Sequence, residues 1–270
     1  MGGDDQTSVL VGAPHADWAI WGPMGGYIAC LALRAAGVHS GRARPASINV
    51  GFLATAAFDE LDIEVTTLRT TRVATCDRVM LRQGGRQVLE ALVWSTDAEA
   101  GLEHHTGREA PVVPPPETLP TFTERLAGQG DAAPMHAFWR QLEMRPTDWI
   151  DDWENRAPLE PEQSSWYRFP AGHYDDPWLD ACRVLIVTDL DAWGAATRSH
   201  VGELEWFAPT IELTCRFLQP APPDGWLLGW GAAPVGDQGL IGCESQTWDA
   251  AGRLLAIGGS TLLCRPMPAD

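Results

Sequence analysis

The sequence predicts an α+β chain in which one helix-and-antiparallel-sheet unit occurs twice. Three observations carry this. The stretch Ser47 to Thr96 returns in outline, about 165 residues on, as Glu212 to Leu263. Within it SINVGFL at 47–53 answers ELTCRFL at 212–218, Asp59 answers Asp224, and the turns Gly85-Arg86 and Gly252-Arg253 come at nearly the same remove. That spacing is too long for a solenoid, so it reads as two copies of a small β-rich domain in one chain. In the first copy a helical segment precedes runs of strand character, and tight turns join those runs, which suggests a sheet with one helix covering a face.

Each element has a local reason. Segment 25–37, GGYIACLALRAAG, opens on two glycines, continues with helix formers and closes on Gly37 as a C-cap. Strands are expected at 61–69, where Leu61, Ile63, Val65 and Thr67 alternate, and at 73–82 and 86–95, joined by the Gln-Gly-Gly turn at 83–85. From Asp97 to about Glu162 the pattern breaks, with Pro-Pro-Pro at 114–116, and a linker with a short helix near 134–143 is expected. The second copy resumes with a strand at 164–169, a helix near 188–201 and strands at 211–218, 225–232, 239–248 and 253–264. Asp-Ala-Ala-Gly at 249–252 supplies its hairpin turn. The expected domains are 1–97 and 163–270, with 98–162 between them.

Composition narrows the function. Hydrophobic residues make up 45% of the chain and Trp occurs 13 times, which marks a globular protein. All 19 basic residues are Arg, and against 36 acids they leave a net charge of −17. Such a surface repels phosphate backbones and disfavours nucleic acid as a partner. The six Cys form no CxxC pair and no Cys/His cluster, so reduced, mostly buried thiols and a cytoplasmic location are expected. His104-His105 has no acid or Cys at ligand spacing and reads as a solvated pair. With no apolar run approaching the length of a bilayer span, no membrane insertion is expected.

Four motifs in order resemble the acyl-CoA thioesterase II family and its actinobacterial relatives, which have a double hot dog fold. They are GlyGlyTyr at 25–27, EAGLEHH at 99–105, LEMRP at 142–146 and FLQPAPPDGWLL at 217–228. The resemblance implies two tandem antiparallel sheets, each wrapping a long helix. It also implies hydrolysis of an acyl-CoA thioester to acid and free CoA, with no metal or organic cofactor. In that family an Asp at the start of the second helix, a Ser or Thr beginning the next strand and a Gln on the last strand hold the attacking water. Here Asp189 and Thr210 match the first two, while counting back from Arg265 puts Ser260 where the Gln is expected. Asp191, two residues on from Asp189, is a competing carboxylate that the sequence does not rank.

The chemistry explains the residue types: a carboxylate takes a proton from water as it attacks, and a hydroxyl or amide fixes the water's direction. Gly25 and Gly26 at a helix N-terminus could present backbone N–H groups to a thioester oxygen, and Asn49 is a further polar candidate. By the repeat offsets Thr210 corresponds to Pro45 and Ser260 to Val93, neither able to orient a water, so one working site per chain is expected. The two copies are expected to pack with sheets joined and helices antiparallel. Two rivals remain: an acyl-CoA binding or scaffold protein that has lost catalysis, and a hot dog hydratase or dehydratase. The second lacks an Asp–His pair near a helix start, since His200 lies at the far end of 188–201. Whether the chain forms a homo-oligomer stays open.

Overall fold

The computed structural model describes residues 7–97, 100–105, 108–127, 135–153, 155–223 and 225–267. Glu99, Asp224 and residue 134, which entered the sequence reading, lie outside these. In chain order the elements are β1 (Thr7–Gly12), α1 (Gly25–Ser40), β2 (Arg44–Phe52), β3 (Leu61–Thr70), β4 (Ala74–Gln83) and β5 (Arg86–Thr96). There follow α2 (Phe122–Ala127), β6 (Glu143–Pro146), β7 (Glu162–Arg168), α3 (Pro177–Thr188) and α4 (Asp191–Thr197). The chain closes with β8 (Trp206–Phe207), β9 (Thr210–Phe217), β10 (Trp226–Asp237), β11 (Leu240–Asp249), β12 (Leu254–Leu263) and β13 (Arg265–Pro266).

Eleven strands form one antiparallel sheet in the order β1-β3-β4-β5-β2-β9-β12-β11-β10-β7-β6, and β8 pairs with β13 apart from it. The expected joining of the two copies is therefore realised edge to edge, by β2 against β9. There Ser47 faces Arg216, Asn49 faces Thr214 and Gly51 faces Glu212. Since Asn49 and Thr214 hold the same place in the two repeats, an approximate twofold axis passes between them. The outer registers agree with the repeat: Val93 pairs with Ile48, and Ser260 with Leu213.

Both long helices lie on one face of this sheet, α1 over β2–β5 and α3 over β9–β12, and they touch each other. They run antiparallel, because Gly26 at the start of α1 meets Asp189 just past the end of α3, while Gly37 meets Trp178 at the start of α3. Small buried residues on α1, namely Ala29, Ala32, Ala35 and Ala36, permit that approach. A Cβ at Gly37 would lie 2.5 Å from the Trp178 ring. Gly37 is thus a crossing point and not the expected cap. The helix continues to Ser40 and ends on Gly41, whose φ of 62° is the left-handed conformation that glycine adopts without a Cβ penalty.

The second helix also departs from expectation. Where one helix near 188–201 is predicted, the chain makes α3 and α4, broken at Asp189 and Leu190. Asp176 caps α3 by accepting from the N–H groups of Trp178 and Leu179, and Pro177 takes the first helical position, where its missing N–H costs nothing. Nine of the twelve residues of α3 are buried, so it shows no polar stripe for a periodicity reading to find.

The region expected to be a linker contributes structure of its own. LEMRP at 142–146 supplies β6, an edge strand whose Pro146 is tolerated there, and the short helix appears as a 3₁₀ turn over Ala137–Arg140. Five of the six thiols are buried, and none is in a disulfide.

Candidate active site

Site construction starts at the N-terminus of α1. Met24, extended and 3% exposed, caps the helix, its sulfur accepting from the Tyr27 N–H at 3.2 Å. The Tyr27 ring stacks on Trp18 at 4.8 Å. This fixes Gly25 and Gly26 against the end of α3. Asp189 occupies the C-cap of α3, its own N–H bonded to the carbonyls of Ile186 and Val187. Its carboxylate accepts the Gly26 N–H on Oδ2 at 2.8 Å and the Thr210 hydroxyl on Oδ1 at 3.4 Å.

The two glycines leave room for that contact. A Cβ at Gly25 would lie 3.1 Å from Asp189 Oδ2, and one at Gly26 would lie 3.2 Å from Asp189 Cβ. Burial pushes the Asp189 carboxyl up from 3.8 to about 7, against the pull of the Gly26 N–H and the Thr210 hydroxyl. The expected placement of Asp189 at a helix start is corrected: it stands between two helices, facing the N-terminus of a third. The partial positive charge of that terminus favours an anion there.

A cavity of about 560 Å³ opens beside these groups, lined by Gly25, Asp189 and Thr210 and walled by Trp21, Phe52, Phe138, Trp139, Trp193 and Phe207. Phe138 and Trp139 come from the region between the repeats, so that segment helps to shape the pocket. A larger, more open groove of about 820 Å³ lies along β9–β12, where Ser260 and Cys243 line it together with Glu212, Asp237 and Glu244, three acids that repel anionic ligands.

The remaining sequence candidates separate. Among the described residues the Gly25 N–H has no acceptor, whereas that of Gly26 is committed to Asp189. Ser260 is 5% exposed on the same sheet face as its neighbour Leu213, and among the described residues its hydroxyl has no hydrogen-bond partner. It does not line the 560 Å³ cavity. It stands opposite Cys243, whose thiol burial pushes up to about 11, with the Asp189 carboxylate adding to the rise. Ser260, Cys243 and Asp189 therefore share one neighbourhood.

Asn49 is not brought to the site. It is exposed on the outer face of β2 between buried Ile48 and Val50, and the alternation of a strand turns it away from the helices.

Asp191 belongs to a different cluster. It is 1% exposed in the first turn of α4, and Oδ1 accepts from the Tyr167 hydroxyl at 2.8 Å and the Gln163 amide at 3.1 Å. Its Oδ2 has no hydrogen-bond partner among the described residues, and a Cβ at Gly229 would lie 2.4 Å from it. Burial raises this carboxyl to about 7 as well, but it does not border the cavity.

Residues 14–96 match the acyl-CoA thioesterase N-terminal domain and residues 115–259 the acyl-CoA thioesterase C-terminal domain. The chain belongs to the acyl-CoA thioesterase family. The fold is shared with solved structures. An acyl-CoA thioesterase II, TesB2, of Mycobacterium marinum superposes with a TM-score of 0.76 at 20% identity, over 96% of this chain and 93% of that one. The tesB protein of Mycobacterium avium subs paratuberculosis gives 0.75 at 21% identity, over 96% and 93%. A hot dog fold protein of unknown function from Alicyclobacillus acidocaldarius gives 0.73 at 21% identity, over 97% and 94%. No curated protein matches the sequence. This acyl-CoA thioesterase has the α+β, largely antiparallel hot dog architecture of those neighbours, and none of its described helices is long and apolar enough to cross a membrane.

Proposed function

We propose that the chain hydrolyses an acyl-CoA to the free acid and CoA by direct attack of water, with Asp189 as general base. The observation that carries this is a buried carboxylate with a pKa of about 7, held by a helix N-terminus and a hydroxyl at the edge of an apolar cavity. At neutral pH such a group is partly ionised and can both take and return a proton. Water's oxygen bonds to the thioester carbon while its proton passes to Asp189. The negative charge that develops on the carbonyl oxygen is met by the free N–H of Gly25. As the intermediate collapses the C–S bond breaks, and the proton on Asp189 goes to the departing CoA thiolate. Thr210 orients the carboxylate and the water, and Ser260 takes the place of the longer amide, reaching the water at a remove.

Release of free thiol from a panel of acyl-CoAs, measured for the wild type and for Asp189→Asn, tests the reading. The amide keeps shape and an acceptor oxygen but takes no proton, and a rate loss on the order of 10²–10⁴ is expected. Near-wild-type turnover in a folded Asp189→Asn protein would remove Asp189 as the base. Binding of acyl-CoA without thiol release from the wild type would favour the scaffold reading instead.

A further inference from the structure

We infer that Arg265 is the anchor for the phosphate groups of the CoA carrier, a reading that rests on the thioesterase function proposed above. An acyl-CoA brings several negative charges to a chain of net charge −17, so its entry is opposed unless a cation stands at the mouth. Among the described residues lining the 560 Å³ cavity, Arg265 is the one basic side chain, and Asp189 the one acid. Arg34, Arg42, Arg145, Arg168 and Arg198 are all tied to carboxylates. Arg265 is exposed and, among the described residues, forms no ion pair or hydrogen bond through its guanidinium.

Its backbone is nevertheless fixed. Arg265 pairs with Phe207 of β8, another cavity residue, and the flanking N–H groups of Cys264 and Met267 bond to the carbonyls of Gly239 and Glu205. The spacing also suits the carrier. Leu262 pairs with Thr210 beside Asp189, and three residues of extended chain carry Arg265 roughly 10 Å further, before its own side chain adds reach. A pantetheine arm holds its diphosphate at a distance of that order from the thioester. The planar guanidinium can then take two phosphate oxygens at once.

Binding of CoA and of pantetheine, which has the same arm and no phosphates, should be measured by calorimetry on the wild type and on Arg265→Gln. The wild type should prefer CoA, and the variant should lose about fivefold or more of its CoA affinity while its pantetheine affinity stays put. The loss should shrink as salt is raised, because an exposed charge contact is screened. In hydrolysis the change should fall on KM for acyl-CoA, with kcat and the rate on an acyl-N-acetylcysteamine thioester unaltered. Equal losses for CoA and pantetheine, or no loss for CoA, would overturn the assignment. A wild type that binds CoA through Arg265 yet hydrolyses nothing would overturn the hydrolase reading and leave the anchor standing.

Discussion

The backbone N–H of Gly26 donates to Asp189 Oδ2 at 2.8 Å, a contact that spans 163 positions of sequence and joins the two repeats at one point. The start of the first repeat's helix and the end of the second's are thereby locked together. The carboxylate is thus held from both copies, by the Gly26 N–H of the first and the Thr210 hydroxyl of the second.

The pH profile follows from Asp189. The ionised form is the base, so kcat/KM for an acyl-CoA should rise from pH 5 and level off above a midpoint near the carboxyl's value of about 7. Initial rates of thiol release across pH 5–9 check this. A flat profile through that window would mean that no group with this pKa takes the proton.

Ser260→Gln is expected to raise hydrolysis of simple acyl-CoAs several-fold, on the order of what one added transition-state hydrogen bond supplies. The position faces the helices, and the present hydroxyl is buried without a hydrogen bond, so an amide reaching toward Asp189 gains a partner that serine does not. Steady-state kinetics on the variant, with circular dichroism to confirm folding, give the answer; an unchanged rate would show that the water is held by other groups.

Asp191, buried away from the cavity, is expected to act on stability and not on rate. Its carboxyl titrates in the fold near 7 against 3.8 as its ordinary value, so the folded state binds the proton more tightly than the unfolded one. The stabilisation is complete below about pH 4 and is lost as pH rises through 7, by roughly 4 kcal/mol at the upper limit. Asp191→Asn should therefore melt at a higher temperature than the wild type at pH 8 and show little difference at pH 4. Asp189, raised in the same sense, leaves part of the wild-type pH dependence in the variant. Equal melting temperatures at pH 8 would contradict this account.

Gly37→Ala should destabilise the fold despite alanine's better helix propensity. The added methyl would sit 2.5 Å from the Trp178 ring, and overpacking of this kind costs roughly 1–3 kcal/mol where alanine returns about 1. Urea unfolding measures the difference, and a stabilised variant would show that Trp178 yields without strain.

Strand positions were legible because alternation is a strong signal on a sheet with one covered face. The runs predicted at 61–69 and 86–95 are found as Leu61–Thr70 and Arg86–Thr96, and that at 239–248 as Leu240–Asp249. The same alternation would have placed Asn49 outside, since Ile48 and Val50 on either side of it are the buried residues. No periodicity announces helix α3, because burial on nearly every side removes the polar stripe on which periodicity depends; Asp176-Pro177 is the local signal of its start. Asp189 and Thr210 stood out by family resemblance, and nothing local in their sequence announces a contact with Gly26.

The facing of Asn49 and Thr214 across the join has a consequence for how this molecule can change. In a pair of separate identical subunits every substitution is printed at both ends of the axis, and a residue that suits one end is imposed on the other. Covalent tandem linkage removes that constraint: Pro45 can stiffen one strand while Thr210, its counterpart, keeps a hydroxyl beside Asp189. Each half is free to specialise, one toward walls and one toward reactivity, without either change echoing in its twin.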